Sequence, residues 1–201
     1  MRQIKRVLGV FGTILFLAST HCSRNMEEPA AGGAVSSGTV SAAGAAGDLL
    51  FTAPDGWIEE TPTSSMRKAQ YRLPRAGGDS EDGELVVFHF PGQGGTIEAN
   101  INRWVGQFSP DETGGGPSKA EVAPRTANGV RLMLVDVSGT YRPSSGPMMR
   151  PGDPKKGYRM LAVIAQTASG PWFFKLTGPR KTIDNWHQDF LAFLDTIRPG
   201  G

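Results

Sequence analysis

Glu84–Phe90 reads ELVVFHF. It follows an acidic, Gly-rich turn, Ala76–Gly83, and is built of β-branched and aromatic residues, so it reads as a strand. Successive strand side chains point to opposite faces. Val86, Phe88 and Phe90 therefore point one way, and Leu85, Val87 and His89 the other. A strand that is apolar on both sides belongs in the interior of a sheet, covered on both faces. The rest of the chain has to supply that sheet and its two layers of cover.

Upstream, Ala53–Glu60 (APDGWIEE) is a turn followed by a short strand, and Met66–Leu73 (MRKAQYRL) alternates as a strand ended by Pro74. Downstream the period changes. In Thr96–Phe108 (TIEANINRWVGQF), Ile97, Ile101, Trp104, Val105 and Phe108 fall on one helical face. Thr96 suits the N-cap and Glu98 the first turn. Pro110 and the run Gly114–Pro117 end the helix. Glu121–Thr140 carries Asn128-Gly129 between two β-prone runs, a type I′ hairpin signal. Tyr158–Gln166 and Trp172–Thr177 form a second hairpin. Pro179–Ile197 reads as a terminal helix with Ile183, Trp186, Phe190, Leu191, Leu194 and Ile197 on its apolar face, and Pro179 suits its first turn. The order β-β-β-α-β-β-β-β-α, dominated by hairpins, predicts an α+β fold: a mainly antiparallel sheet covered by two helices, in a single domain over residues 49–199.

What precedes the domain reads as an address. Arg2, Lys5 and Arg6 are followed by twelve uncharged residues, Val7–Ala18. As a helix that stretch is about 18 Å long, too short for a hydrocarbon core of about 30 Å. Residues 1–21 therefore read as a signal peptide. The only cysteine, Cys22, sits just past it in FLASTHCSR (Phe16–Arg24), where the pattern resembles a bacterial lipobox. Ser19 in place of the usual Leu, and His21 before the cysteine, depart from that pattern. Ordinary cleavage after Thr20 is the alternative. A lone cysteine has no intramolecular disulfide partner, which favours lipidation. Ser23, next to it, resembles outer-membrane rather than inner-membrane sorting. Residues 22–48 include the run AAGGAVSSGTVSAAGAAG (Ala30–Gly47), which cannot bury enough surface to offset chain entropy and reads as a disordered Ala/Gly/Ser tether.

The formal charge of +2 comes from the leader; without it, 18 basic residues face 19 acidic ones. The mature composition carries no argument for nucleic acid, and no nucleic-acid motif occurs.

GWIEETPTSSMRKAQYRL (Gly56–Leu73), ANINRW (Ala99–Trp104) with Gln107 after it, and WFFKLTGP (Trp172–Pro179) followed by a terminal helix resemble small bacterial envelope proteins. These are similar to the PsbP-like fold group, which includes photosystem extrinsic subunits and a Ran-binding nuclear protein of the Mog type. The resemblance covers about Phe51–Pro199. It implies a PsbP-like α/β/α sandwich and a binding or assembly role; no photosystem metal ligand or Ran contact matches a residue here. Fold alone does not assign function.

Catalytic motifs are absent. GQGGT (Gly92–Thr96) lacks the third glycine of a dinucleotide fingerprint and the Lys of a P-loop, and reads as a tight turn into a capped helix. His21, His89 and His187 have no metal-ligand spacing, so neither metal nor cofactor is expected. No G-x-S-x-G occurs. Asp136, within an apolar strand, needs a cationic partner such as Lys175 or Arg131. The candidate binding patch is Asn100, Arg103 and Gln107, spaced to share one helical stripe, with Lys175 interrupting WFFKL and facing them. Gly106 within the same helix is a poor helix former. The bland reading of the patch is a polar network pinning helix to sheet. Arg142–Lys156 (RPSSGPMMRPGDPKK) reads as a long mobile loop whose Met148-Met149 pair can meet a partner or lipid headgroups. Two functional readings follow. The first is a membrane-tethered, exported envelope module that binds or assembles another component, is not an enzyme, and has no deep pocket. The second is a small-ligand carrier or unrecognised enzyme, with a pocket of about 300–1,000 Å³ holding Arg103, Lys175 or Asp136.

Overall fold

The computed structural model describes residues 49–92, 94–110, 119–145 and 150–200. The signal peptide, Cys22, the tether and Met148-Met149 lie outside the described residues. In chain order the elements are β1 (Leu49–Leu50), β2 (Ile58–Glu59), β3 (Arg67–Leu73), β4 (Gly83–His89), α1 (Ile97–Val105), β5 (Phe108–Ser109), β6 (Glu121–Ala127), β7 (Val130–Tyr141), β8 (Ser144–Ser145), β9 (Arg150–Pro151), β10 (Lys155–Thr167), β11 (Gly170–Pro179), α2 (Arg180–Asn185), α3 (His187–Thr196) and β12 (Arg198–Pro199).

The main sheet runs β2-β3-β4-β11-β10-β7-β5, with β6 also paired to β7, and every ladder in it is antiparallel. β4 lies between β3 and β11, the interior position its two apolar faces demand. The fold is α+β, a mostly antiparallel sheet with helices on both faces. One face carries Leu85, Val87, Leu161, Val163, Phe174 and Leu176, packed against Ile183, Phe190, Phe193, Leu194 and Ile197 of the terminal helical segment, with Phe51 and Trp57 from the N-terminal side. The opposite face carries Val135, Val137, Met160, Ala162, Ile164 and Phe173, packed against Trp104, Ile97, Ile101 and Val105 of α1 and against Phe108.

The Asn128-Gly129 turn has the positive φ values a type I′ hairpin needs, 47° and 82°. Asn128 does more than turn the chain: its Nδ2 donates to the carbonyls of Asp195 (2.8 Å) and Ile197 (2.9 Å), tying the hairpin to the end of α3. Thr96 caps α1 as expected, its Oγ1 accepting from Ala99 N at 3.1 Å.

Four expectations are corrected. The terminal helix is two helices, α2 and α3, broken at Trp186, whose indole Nε1 donates to the carbonyl of Pro74 at 2.8 Å. Pro179 supplies no cap for α2; Asp79 from the β3–β4 loop does, its Oδ2 accepting from Thr182 N (2.8 Å) and Thr182 Oγ1 (2.6 Å). α1 stops at Val105, so Gly106 is its C-cap rather than an interior residue, and Phe108 starts β5 while still packing in the same cluster. Finally, β10 begins at Lys155, inside the expected long loop, and β8 pairs with β9 within it.

Candidate functional site

α1 is nine residues long and about 10–12 Å across, while a sheet of this many strands is roughly 30 Å wide. It shares a core cluster with residues of β7, β10 and β11. The space left beside it is a cleft of about 580 Å³. β3 and the chain before it contribute Arg67 and Met66; β4 contributes Glu84, Val86, Phe88 and Phe90; α1 contributes Arg103 and Trp104. Gln107 follows α1, Tyr141 ends β7, Lys155 and Tyr158 come from β10, and Phe173, Lys175 and Thr177 from β11. Glu81 and Asp82 close it from the β3–β4 loop.

Lys175 sits at the floor. In register it lies between Val86 of β4 and Ala162 of β10, on the strand face that also bears Phe173. Its Nζ donates to Gln107 Oε1 at 2.8 Å and Tyr141 Oη at 3.2 Å, and stands 5.2 Å from the Tyr141 ring centroid. Burial, reinforced by the Arg103 charge, pushes its pKa down to about 8, against a smaller opposing pull from Glu84. Burial pushes the Tyr141 phenol up to about 12. Arg103 is at the exposed rim, where its Nη2 donates to Asn100 Oδ1 at 2.6 Å. One wall is aromatic: Trp104 meets Phe173 edge-on at 5.7 Å, and Phe90 lies 5.7 Å from Phe173 and 6.1 Å from Phe88.

Of the sequence-derived patch, Arg103, Gln107 and Lys175 come together in this cleft. Asn100 does not line it; it is buried, and its Nδ2 turns back to the carbonyls of Gly94 (2.6 Å) and Thr96 (2.8 Å), so it positions Arg103 from behind. Both proposed partners of Asp136 are wrong. Asp136 pairs in register with Leu161 and Lys175 with Ala162, which places them on opposite faces; Arg131, five residues from Asp136, also faces away from it. The actual partner is Arg159, with Nε–Oδ1 at 3.0 Å and Nη2–Oδ2 at 2.5 Å, and Arg159 also reaches Asp184 at 2.6 Å. Those contacts hold the Arg159 guanidinium protonated more firmly than usual, chiefly through Asp136. His89 is buried and stacks on Trp172 with centroids 4.4 Å apart. Among the described residues no cluster of His, Cys, Asp and Glu has the make-up of a metal site, and no helix is long and apolar enough to cross a membrane.

Sequence reasoning missed Arg67, Glu81, Glu84, Tyr141, Lys155 and Tyr158. Arg67 pairs with Glu84 (2.9 Å), and Lys155 with Glu81 (2.5 Å). The Lys155 bond holds the Glu81 carboxyl below its usual range. Arg72 and the Arg75 backbone do the same for Asp82.

No protein-family model and no curated protein sequence matches the chain. Solved structures of similar shape include cyanobacterial PsbP (CyanoP) from Synechocystis, at 16% identity, TM-score 0.42, covering 81% of this chain and 98% of that one. LpqN of Mycobacterium tuberculosis, a protein involved in cell envelope biogenesis, aligns at 16% identity, TM-score 0.44, over 78% and 87%. A Pseudomonas aeruginosa protein of unknown function aligns at 13% identity, TM-score 0.42, over 76% and 96%. At these scores the likenesses carry no argument about function, which has to rest on the cleft.

Proposed function

We propose that the chain is an exported envelope protein, held at a membrane through Cys22 and the 22–48 tether, whose domain binds a small ligand in the cleft beside α1. The cleft carries the reading. It is concave, of ligand size, walled on one side by aromatic rings and holds a few convergent polar groups, which is the usual make-up of a small-molecule site. Address and anchor are supported by the charged n-region, the short apolar run and the position of Cys22. An envelope protein that delivers or receives the ligand is the accompanying expectation, and crosslinking in intact cells tests it.

Two mass measurements test the rest. Intact mass of the mature chain is expected to show an acylated N-terminus at Cys22; a free chain beginning at His21 ends the anchor. Native mass spectrometry of the chain released gently from its membrane is expected to show a small-molecule adduct that is lost on denaturation. A chain that is bare in every preparation and binds no added amphiphile overturns the ligand reading.

A further inference from the structure

We infer that the ligand is an amphipathic anion, with a carboxylate or phosphate head held between Lys175 and Arg103 and an apolar body laid against Phe88, Phe90, Trp104 and Phe173. This rests on the ligand-binding reading above and adds its chemical class.

The charge ledger of the cleft carries it. The carboxylates there are already engaged: Glu84 by Arg67, Glu81 by Lys155 and Asp82 by Arg72. Arg103 and Lys175 are the cleft's remaining cations, and neither forms an ion pair among the described residues. Arg103 spends one donor on a neutral amide and keeps the rest of its five N–H groups. Lys175 has three N–H donors and uses two, both on neutral oxygens. A charge taken out of water is costly unless it is paired, and an acidic head group is the pairing the fold itself omits. With its pKa lowered only to about 8, the amine remains mostly protonated at neutral pH and available to such a head. The aromatic wall makes an inorganic anion an incomplete match: Trp104 and Phe173 are buried and set edge to face, a surface suited to an apolar chain or ring. A second polar arm of the ligand has nowhere comparable to go, because the cations at the other end of the cleft are spent.

The test uses the full chain carrying Cys22→Ser, so that no detergent is needed, and calorimetric titration with dodecanoate, dodecyl phosphate, dodecanol, dodecyltrimethylammonium and inorganic phosphate. Both anionic amphiphiles are expected to bind at least about tenfold tighter than dodecanol, since a charge-assisted hydrogen bond is at stake. The cation and inorganic phosphate are expected not to register. Lys175→Met is expected to erase the preference for the anion while leaving dodecanol binding in place. Arg103→Gln, an exposed site where folding is not at risk, is expected to reduce that preference. Equal binding of dodecanol and dodecanoate overturns the inference while the ligand reading survives. Inorganic phosphate binding as tightly as dodecyl phosphate overturns the apolar half. Failure of every amphiphile overturns the ligand reading itself.

Discussion

The two faces of the sheet carry the same alternating pattern but end in different states. On the α2–α3 side, Leu85, Val87, Phe174, Leu176, Phe190 and Phe193 are fully buried, and Phe193 alone meets the rings of Phe51, Trp57, Phe174 and Phe190. On the α1 side, Phe88, Phe90 and Tyr141 stay half-buried and Lys175 replaces an apolar residue at the sheet's centre. The difference is one of cover. Two helices and the N-terminal segment close the first face, while a single nine-residue helix leaves part of the second open. One face is spent on stability; the other keeps apolar surface and charge in reserve, which is what a binding surface requires.

The sharpest way to break that contrast is a matched pair of truncations. Phe193→Ala is expected to cost about 3–5 kcal/mol, because it leaves a cavity among rings that cannot close over it. Phe88→Ala, at the wall of the open cleft, is expected to cost only about 1 kcal/mol, since solvent already reaches it. Urea unfolding curves measure both. Equal losses would mean that the α1 face is as tightly packed as the other and the cleft closed in solution.

A smaller effect probes how the closed face is fastened. α2 has no cap of its own and borrows one from Asp79, more than a hundred residues upstream. Asp79→Ala is expected to cost about 1–2 kcal/mol, the usual value of a helix cap. Asp79→Asn is expected to recover most of it through its remaining oxygen. A variant with wild-type stability would show that α2 is held by Ile183 packing alone.

That cap also marks where sequence reading stopped. β4 was legible because its two apolar faces admit only an interior position, and Asn128-Gly129 because positive φ restricts the residue type. Lys175 stood out as a charge within an apolar run, and Gln107 as a polar residue at the end of an amphipathic helix. All of these are local signals. The Arg159–Asp136 pair depends on the register of β10 against β7, the Asp79 cap on the path of a loop, and Tyr141, Tyr158 and Glu81 on how three separate segments converge at one end of the cleft. None of that is periodic, so no window of sequence contains it. The helix break at Trp186 coincides with another distant contact, its indole Nε1 donating to the carbonyl of Pro74.

The finest test separates the pin from the binding group. Were Lys175 mainly a pin between β11 and the end of α1, its loss would destabilise the domain. Its lowered pKa says the opposite: burial and Arg103 oppose the charged form, and the bonds to Gln107 and Tyr141 do not offset them. Lys175→Met is therefore expected to raise stability at pH 7, on the order of 1 kcal/mol, as replacing a poorly paired interior charge by an apolar group commonly does. The pH dependence follows from the same shift. Between about 8, the folded value, and 10.5, the ordinary value, the unfolded chain holds more protons on Lys175 than the folded one, so wild-type stability gains on the variant as pH rises. Of the groups facing Lys175, which include Arg103 and Glu84, the Tyr141 phenol, pushed up to about 12 by burial, keeps its proton through that window. The advantage of Lys175→Met should thus shrink from pH 8 to pH 10, measured as a difference in unfolding midpoint. A variant less stable than wild type at pH 7 would return Lys175 to the structural network and remove the charge the cleft is proposed to hold in reserve.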